Sequence, residues 1–167
     1  MSTFAVDVEP FNQQHADMRA QIYHPKLKQL FDYWSAVRGR RRFPGRRDID
    51  PVDFRYAVGN VTLVEILQEP LRFHVRLHGS NIAERAGFDL TGKTLSDIPG
   101  PESRAFILNR CHGLLVKGEP QVARTERVFD GFRRRYEVLW LPLSQNGESV
   151  NMLMCGLYCQ QQPIPAA

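Results

Sequence analysis

QVARTERVFDGFRRRYEVLWLPLSQNGESVNMLMCGLYC, residues Gln121–Cys159, divides into three β-prone runs at two turn signals. Asp130-Gly131 between two such runs is among the stronger short hairpin signals, and Ser144–Gly147 is a second polar break. An antiparallel three-stranded meander follows. Its middle strand sets Tyr136, Val138 and Trp140 on one face by simple alternation.

Working outward, Phe106, Ile107, Arg110, Cys111, Leu114 and Leu115 recur at helical spacing, which predicts a helix from Glu102 to Lys117. SNIAERAG (Ser80–Gly87) reads as a short helix with Ser80 as N-cap and Gly87 as terminator. Before it, VGNVTLVEILQE and LRFHVRLHG form two strands around Glu69-Pro70, with Phe73, Val75 and Leu77 alternating against His74, Arg76 and His78. Further toward the N-terminus, Leu27, Leu30, Phe31, Trp34 and Val37 lie at spacings of three and four along one face of a helix from Tyr23 to Val37. That face must dock on the sheet or on a second copy of the chain. The tail from Gln161 has little to bury and is expected to fray.

The fold class is α+β, a five-stranded antiparallel sheet split two plus three around a helical insertion, with an amphipathic helix in front. YWSAVRGRRRFPGRRDIDP (Tyr33–Pro51) and RFHVRLHGSNIAERAGFDLTGKTL (Arg72–Leu95) resemble the two signature blocks of a bacterial family of short, stand-alone PAS proteins. The resemblance runs from Tyr23 to Tyr158. It implies a sensory or adaptor role in signal transduction with no attached catalytic or DNA-binding output. The expected organisation is an extension over 1–22, helix and arginine-rich connector over 23–52, the PAS domain over 53–160 and a flexible tail over 161–167.

Several motifs invite stronger claims. Gly87-Phe88-Asp89-Leu90-Thr91-Gly92-Lys93-Thr94 satisfies the phosphate-loop pattern letter for letter, yet a helix precedes it and none starts at Lys93. PAS domains commonly carry a similar stretch between their short helices, so no ATP hydrolysis is expected. Arg38, Arg40, Arg41, Arg42, Arg46 and Arg47 form the densest basic run, and only four of the 22 basic residues are lysines. A nucleotide- or nucleic-acid-binding module on Arg38–Arg47 is the alternative reading. The duller use pairs these arginines with Asp48, Asp50 and Asp53. Neither a helix-turn-helix nor a zinc finger is visible to make DNA reading concrete.

His112 stands on the helix that supplies the axial histidine in haem-binding PAS domains, but one histidine has many other uses. Asn109-Arg110-Cys111 is the wrong order for the flavin photoreceptor motif, so no cofactor is expected. Two thiols at Cys155 and Cys159 do not make a zinc site. No nucleophile with a base, and no placed carboxylate pair, argues for an enzyme. Ligand-binding candidates are Arg76, His78, Arg110, His112, Tyr136 and Trp140, and an inward Arg76 would select an anionic ligand. The five apolar residues of the first helix are the candidate homodimer interface, with a signalling protein as a further partner.

At 167 residues and 43% hydrophobic, the chain suits one domain with one proper core. The net charge of +4 alone does not decide for nucleic acid. No run approaches a membrane span of roughly 20 apolar residues, the first residues lack a secretory pattern, and three cysteines fit a reducing compartment. A cytoplasmic location is expected.

Overall fold

The computed structural model describes residues 8–166. Strands β1 (Val61–Leu67), β2 (Arg72–His78), β3 (Gln121–Phe129), β4 (Phe132–Leu143) and β5 (Met152–Pro163) form one antiparallel sheet in the order β2-β1-β5-β4-β3. Helix α1 covers Val8–Ala20, α2 covers Pro25–Arg38, α3 covers Ser80–Ala86 and α4 covers Pro101–Lys117. The α3–α4 segment lies between β2 and β3 in sequence, as the split of the strands requires. Among the described residues, no helix is long and apolar enough to cross a membrane.

Alternation along the strands gives the sheet two apolar faces. Leu139, Leu141, Leu143, Met152 and Met154 face outward with Val61 and Leu63, and against them pack Leu27, Leu30, Phe31 and Trp34 of α2. Trp140, Leu153, Cys155 and Val64 face inward, toward Leu90, Leu95, Ile98 and the α4 residues Cys111 and Leu114. Two cores on one sheet need a cover on each side. The α3–α4 segment covers the inner face and the amphipathic helix α2 the outer one.

The outer cover is tightly fitted. Trp34 Nε1 donates to the Pro142 carbonyl at 2.9 Å in the interior. Gly156 on β5 is a close-approach site, because a Cβ there would stand 2.7 Å from Leu27 and 2.8 Å from Leu30. Pro25 opens α2, where its missing N–H costs nothing, and the His24 ring accepts from the Lys26 N–H as a cap. On top of α2, His15 of α1 stacks on Trp34 with ring centroids 5.7 Å apart.

Four expectations change. The stretch 1–22 contains helix α1 within its described part, and α2 with its connector shares a core with the sheet. Phe43, amid the arginines, is buried in the inner core, while Ile49 and Phe54 join the outer one. The tail pairs as strand through Pro163, with Gln160–Gln162 opposite Arg133–Arg135, and the Ile164 N–H donates to Gly131 O. The N-cap of α3 is Gly79, not Ser80, while Gly87 closes it in the left-handed conformation as expected.

The fourth change is in β2. Its pairing with β1 shifts register between Leu63/Val64, where Leu77 and Val75 are their partners. The extra residue is Arg76. It breaks the alternation, so Leu77 turns to the outer core and His78 to the inner face. A β-bulge leaves no mark in the apolar pattern of seven residues.

Candidate ligand-binding cavity

Between the inner sheet face, α3 and the first half of α4 lies a cavity of about 640 Å³. Pockets of roughly 300–1,000 Å³ hold small organic ligands. The sheet contributes Val64, Ala123, Val138, Trp140 and Leu157, and the covering segment contributes Phe88, Leu90, Leu95, Ile98, Phe106 and Ile107. Phe106 is only half-buried, and Arg85, Arg127 and Glu102 complete the lining.

The sequence candidates separate. Tyr136, Trp140 and His78 line the cavity together. Arg76 does not: it is on the outer side of the bulge, exposed, and paired with Glu65. The expectation that an inward Arg76 would select an anion is therefore corrected. His112 is exposed on α4 and meets the Phe73 ring edge-on at 5.2 Å, away from the cavity. Arg110 lies over Phe106, donates to Gln121 Oε1 at 3.2 Å, and lines a separate cleft of about 560 Å³ with Arg42, Lys117 and residues of α1.

The five residues proposed as a dimer interface are placed differently as well. Leu27, Leu30, Phe31 and Trp34 are at most 2% exposed, and Val37 is partly buried beside them. Their own sheet covers them. In the single chain this face is therefore closed to a second copy.

His78 is held neutral by its surroundings. Its Nδ1 accepts the Leu90 N–H at 3.0 Å, and Asp89 Oδ1 is 3.6 Å away. Burial pushes its pKa below the usual value, outweighing the upward pull of Asp89. His24 is shifted in the same direction, first by burial and then by Lys26, against Glu137. A group with a depressed folded pKa binds fewer protons folded than unfolded. For these histidines stability is complete above the unfolded value of about 6.5 and is lost as pH falls from there toward the folded pKa. Melting temperature should fall between about pH 7 and pH 5, and fall less in His78→Asn. An unchanged slope in that variant would exclude His78 as a source. The low-lying carboxylates, Asp48, Asp89, Asp97 and Glu126, act only at lower pH.

The loop carrying the phosphate-loop pattern has its amides committed. Leu90 N donates to His78, Thr91 N to Asp89, Gly92 N to Val75 O, Lys93 N to Leu90 O and Thr94 N to Asp97. A phosphate cradle needs such N–H groups directed at the ligand. Here those of Leu90 and Gly92 fasten the loop to β2 and the other three close turns within it.

The buried thiols are unreactive for the same reason that histidine is neutral. Burial pushes Cys111 up to about 12, and Cys155 is raised by burial and by Cys111 beside it. Tyr136 is shifted upward by burial and by Cys159, while the Arg134 and Arg85 guanidiniums pull it down. Arg85 and Arg127 line the same cavity as Tyr136. Arg85 and Arg127 carry no periodic signal that would have marked them in the sequence.

On the opposite face of β4, Glu137 is 8% exposed and faces the start of α2. It accepts from the backbone N–H groups of Tyr23, at 3.1 Å, and His24, at 2.8 Å, and from Arg124 at 2.7 Å. Arg124 in turn bonds the Gln21 carbonyl and lies 3.7 Å over the Tyr23 ring. One carboxylate thus fixes the α1–α2 junction to the strand that forms the cavity wall.

Similar solved structures include a sensory box sensor histidine kinase from Vibrio cholerae, at 17% identity over 60% of this chain and 82% of that one, with a TM-score of 0.44. A domain of an HTR-like protein from Haloarcula marismortui gives 19% identity, 60% and 97% coverage and a TM-score of 0.38. The N-terminal domain of a diguanylate cyclase with PAS/PAC sensor from Marinobacter aquaeolei gives 16%, 59%, 93% and 0.39. No curated protein matches the sequence. A family model described as PAS domain matches residues 22–158, from the start of the outer core to the last core residues of β5. By that match, and with this sheet and its helical insertion, the chain belongs to the PAS domain family of sensory and signalling modules.

Proposed function

We propose that this protein is a non-enzymatic sensory or signalling adaptor that binds a small organic ligand in the inner cavity and reports occupancy through β4 to the α1–α2 layer. The observation that carries this reading is the alternation along β4. Tyr136, Val138 and Trp140 line the cavity, while Glu137 between them holds Tyr23 and His24 on the other face. A ligand that displaces the wall by a fraction of an ångström acts on both. Occupancy can shift the layer only through a difference in affinity for its two positions.

A partner protein or a second copy would meet the outward surface of α1 and α2, since the inward surface is occupied. The unpaired cysteines agree with a cytoplasmic setting. The nucleic-acid alternative finds no support in the connector. Arg41 pairs with Asp48, Arg38 and Arg46 bond backbone carbonyls, and Arg42 lies on Phe43.

Val138→Trp fills the cavity without adding bulk to the outer core. Nile red fluorescence should saturate on the native chain and weaken by about tenfold or more in this variant, a change of at least 1.4 kcal/mol. Mass spectrometry of small molecules released from the denatured protein should lose the same species. Undiminished dye binding by a folded Val138→Trp would refute the cavity as the site.

A further inference from the structure

The cavity imposes different chemical demands at two places along β4. Trp140 is 6% exposed and forms part of the wall, and its Nε1 has no hydrogen-bond partner among the described residues. An indole N–H kept from water without an acceptor is unfavourable and marks a place for one. The apolar part of the lining includes Val64, Leu95, Ile98, Val138 and Leu157, with Thr62 and His78 as polar members on the cross-strand row of Trp140.

Tyr136 lies four residues away on the same face, about 13 Å by strand rise. There the lining becomes cationic. Arg85 of α3 makes no hydrogen bond or ion pair among the described residues, and Arg127 of β3 makes only a long contact of 3.5 Å to Ser103 Oγ. Glu102 is the acidic residue of this lining, against the two arginines Arg85 and Arg127.

Resting on the cavity reading above, we propose that the ligand is an elongated amphipathic acid. Its anionic group lies between Arg85 and Arg127, its apolar body runs along Val138 and Leu157, and a second oxygen acceptor receives the Trp140 Nε1–H. Guanidinium forks suit a carboxylate, and their exposed position lets the anion keep part of its hydration. The apolar walls exclude a ligand that is polar throughout.

Three probes of similar length separate these demands. Monomethyl sebacate has a carboxylate and a distant ester carbonyl, undecanoate has the carboxylate alone, and dimethyl sebacate has acceptors without charge. Calorimetric titration of the full chain should rank monomethyl sebacate tightest, by roughly five- to tenfold over each of the others. Trp140→Phe should abolish its advantage over undecanoate and leave that over dimethyl sebacate. Arg85→Gln/Arg127→Gln should do the reverse, and as a surface pair it should not disturb folding. Equal affinities for the three probes, or a Trp140→Phe effect common to all, would overturn the ligand class. Nile red binding beside equal probe affinities would confine the failure to that class. If neither the dye nor any probe bound, the cavity reading would fall with it.

Discussion

Replacing Trp34 and Leu30 together by alanine should leave little folded protein. Trp34 fills the outer core, stacks under His15 and donates its only N–H to Pro142, and Leu30 sits against the glycine-lined surface of β5. Single truncations of this kind cost about 3–5 kcal/mol for tryptophan and about 2–5 for leucine. A domain has about 5–15 in total. The two residues share neighbours, so their losses will not add simply. Circular dichroism with urea titration of the single and double variants provides the measurement. A double variant within about 1 kcal/mol of the native chain would show that α2 is not integral to the domain.

Glu137→Ala should have the second largest effect, near 3 kcal/mol, because it strands two backbone N–H groups and a partly buried guanidinium at once. The loss should be smaller in Glu137→Gln, which retains an acceptor oxygen for Tyr23 and His24. Arg124 is 38% exposed, so Arg124→Gln should cost only about 1 kcal/mol. Beyond stability, Glu137→Ala should speed hydrogen exchange at the Tyr23 and His24 amides more than elsewhere. Similar losses in all three variants would mean that the ion pair, and not the backbone anchoring, matters.

Much of the fold was legible because it rests on periodicity and turns. Asp130-Gly131 adopts positive φ angles of 52° and 75° and closes the β3–β4 hairpin. The helical spacings of α2 and α4 gave both covers, and the alternation of β4 sets Tyr136 and Trp140 on one face, which lines the cavity. Where structure departs from period, reading failed. The bulge at Arg76 separates two residues that alternation puts together, sending Arg76 out to Glu65 and His78 in to Leu90.

Charged residues were the harder part. Arg85 and Arg127 border the cavity from elements whose other residues point elsewhere, and Glu137 is anchored by chain more than 110 residues distant. Neither composition nor spacing encodes such contacts. The arginine connector shows the opposite error: a conspicuous charge run whose members mostly bond carbonyls, an aspartate and aromatic rings next to it. Arg38, Arg41, Arg42 and Arg46 are thus directed at the chain itself, while Arg40 and Arg47 are exposed.

The account turns on whether an occupied cavity is felt across the sheet. Hydrogen–deuterium exchange resolved to single amides, with and without saturating Nile red, addresses this at Tyr23 and His24, which the cavity does not touch. Protection at these two amides should change together with that of the cavity-lining strands, and the change should vanish in Val138→Trp. Dye binding that alters only α3, α4 and the inner strand residues, with Tyr23 and His24 exchanging as before, would contradict it.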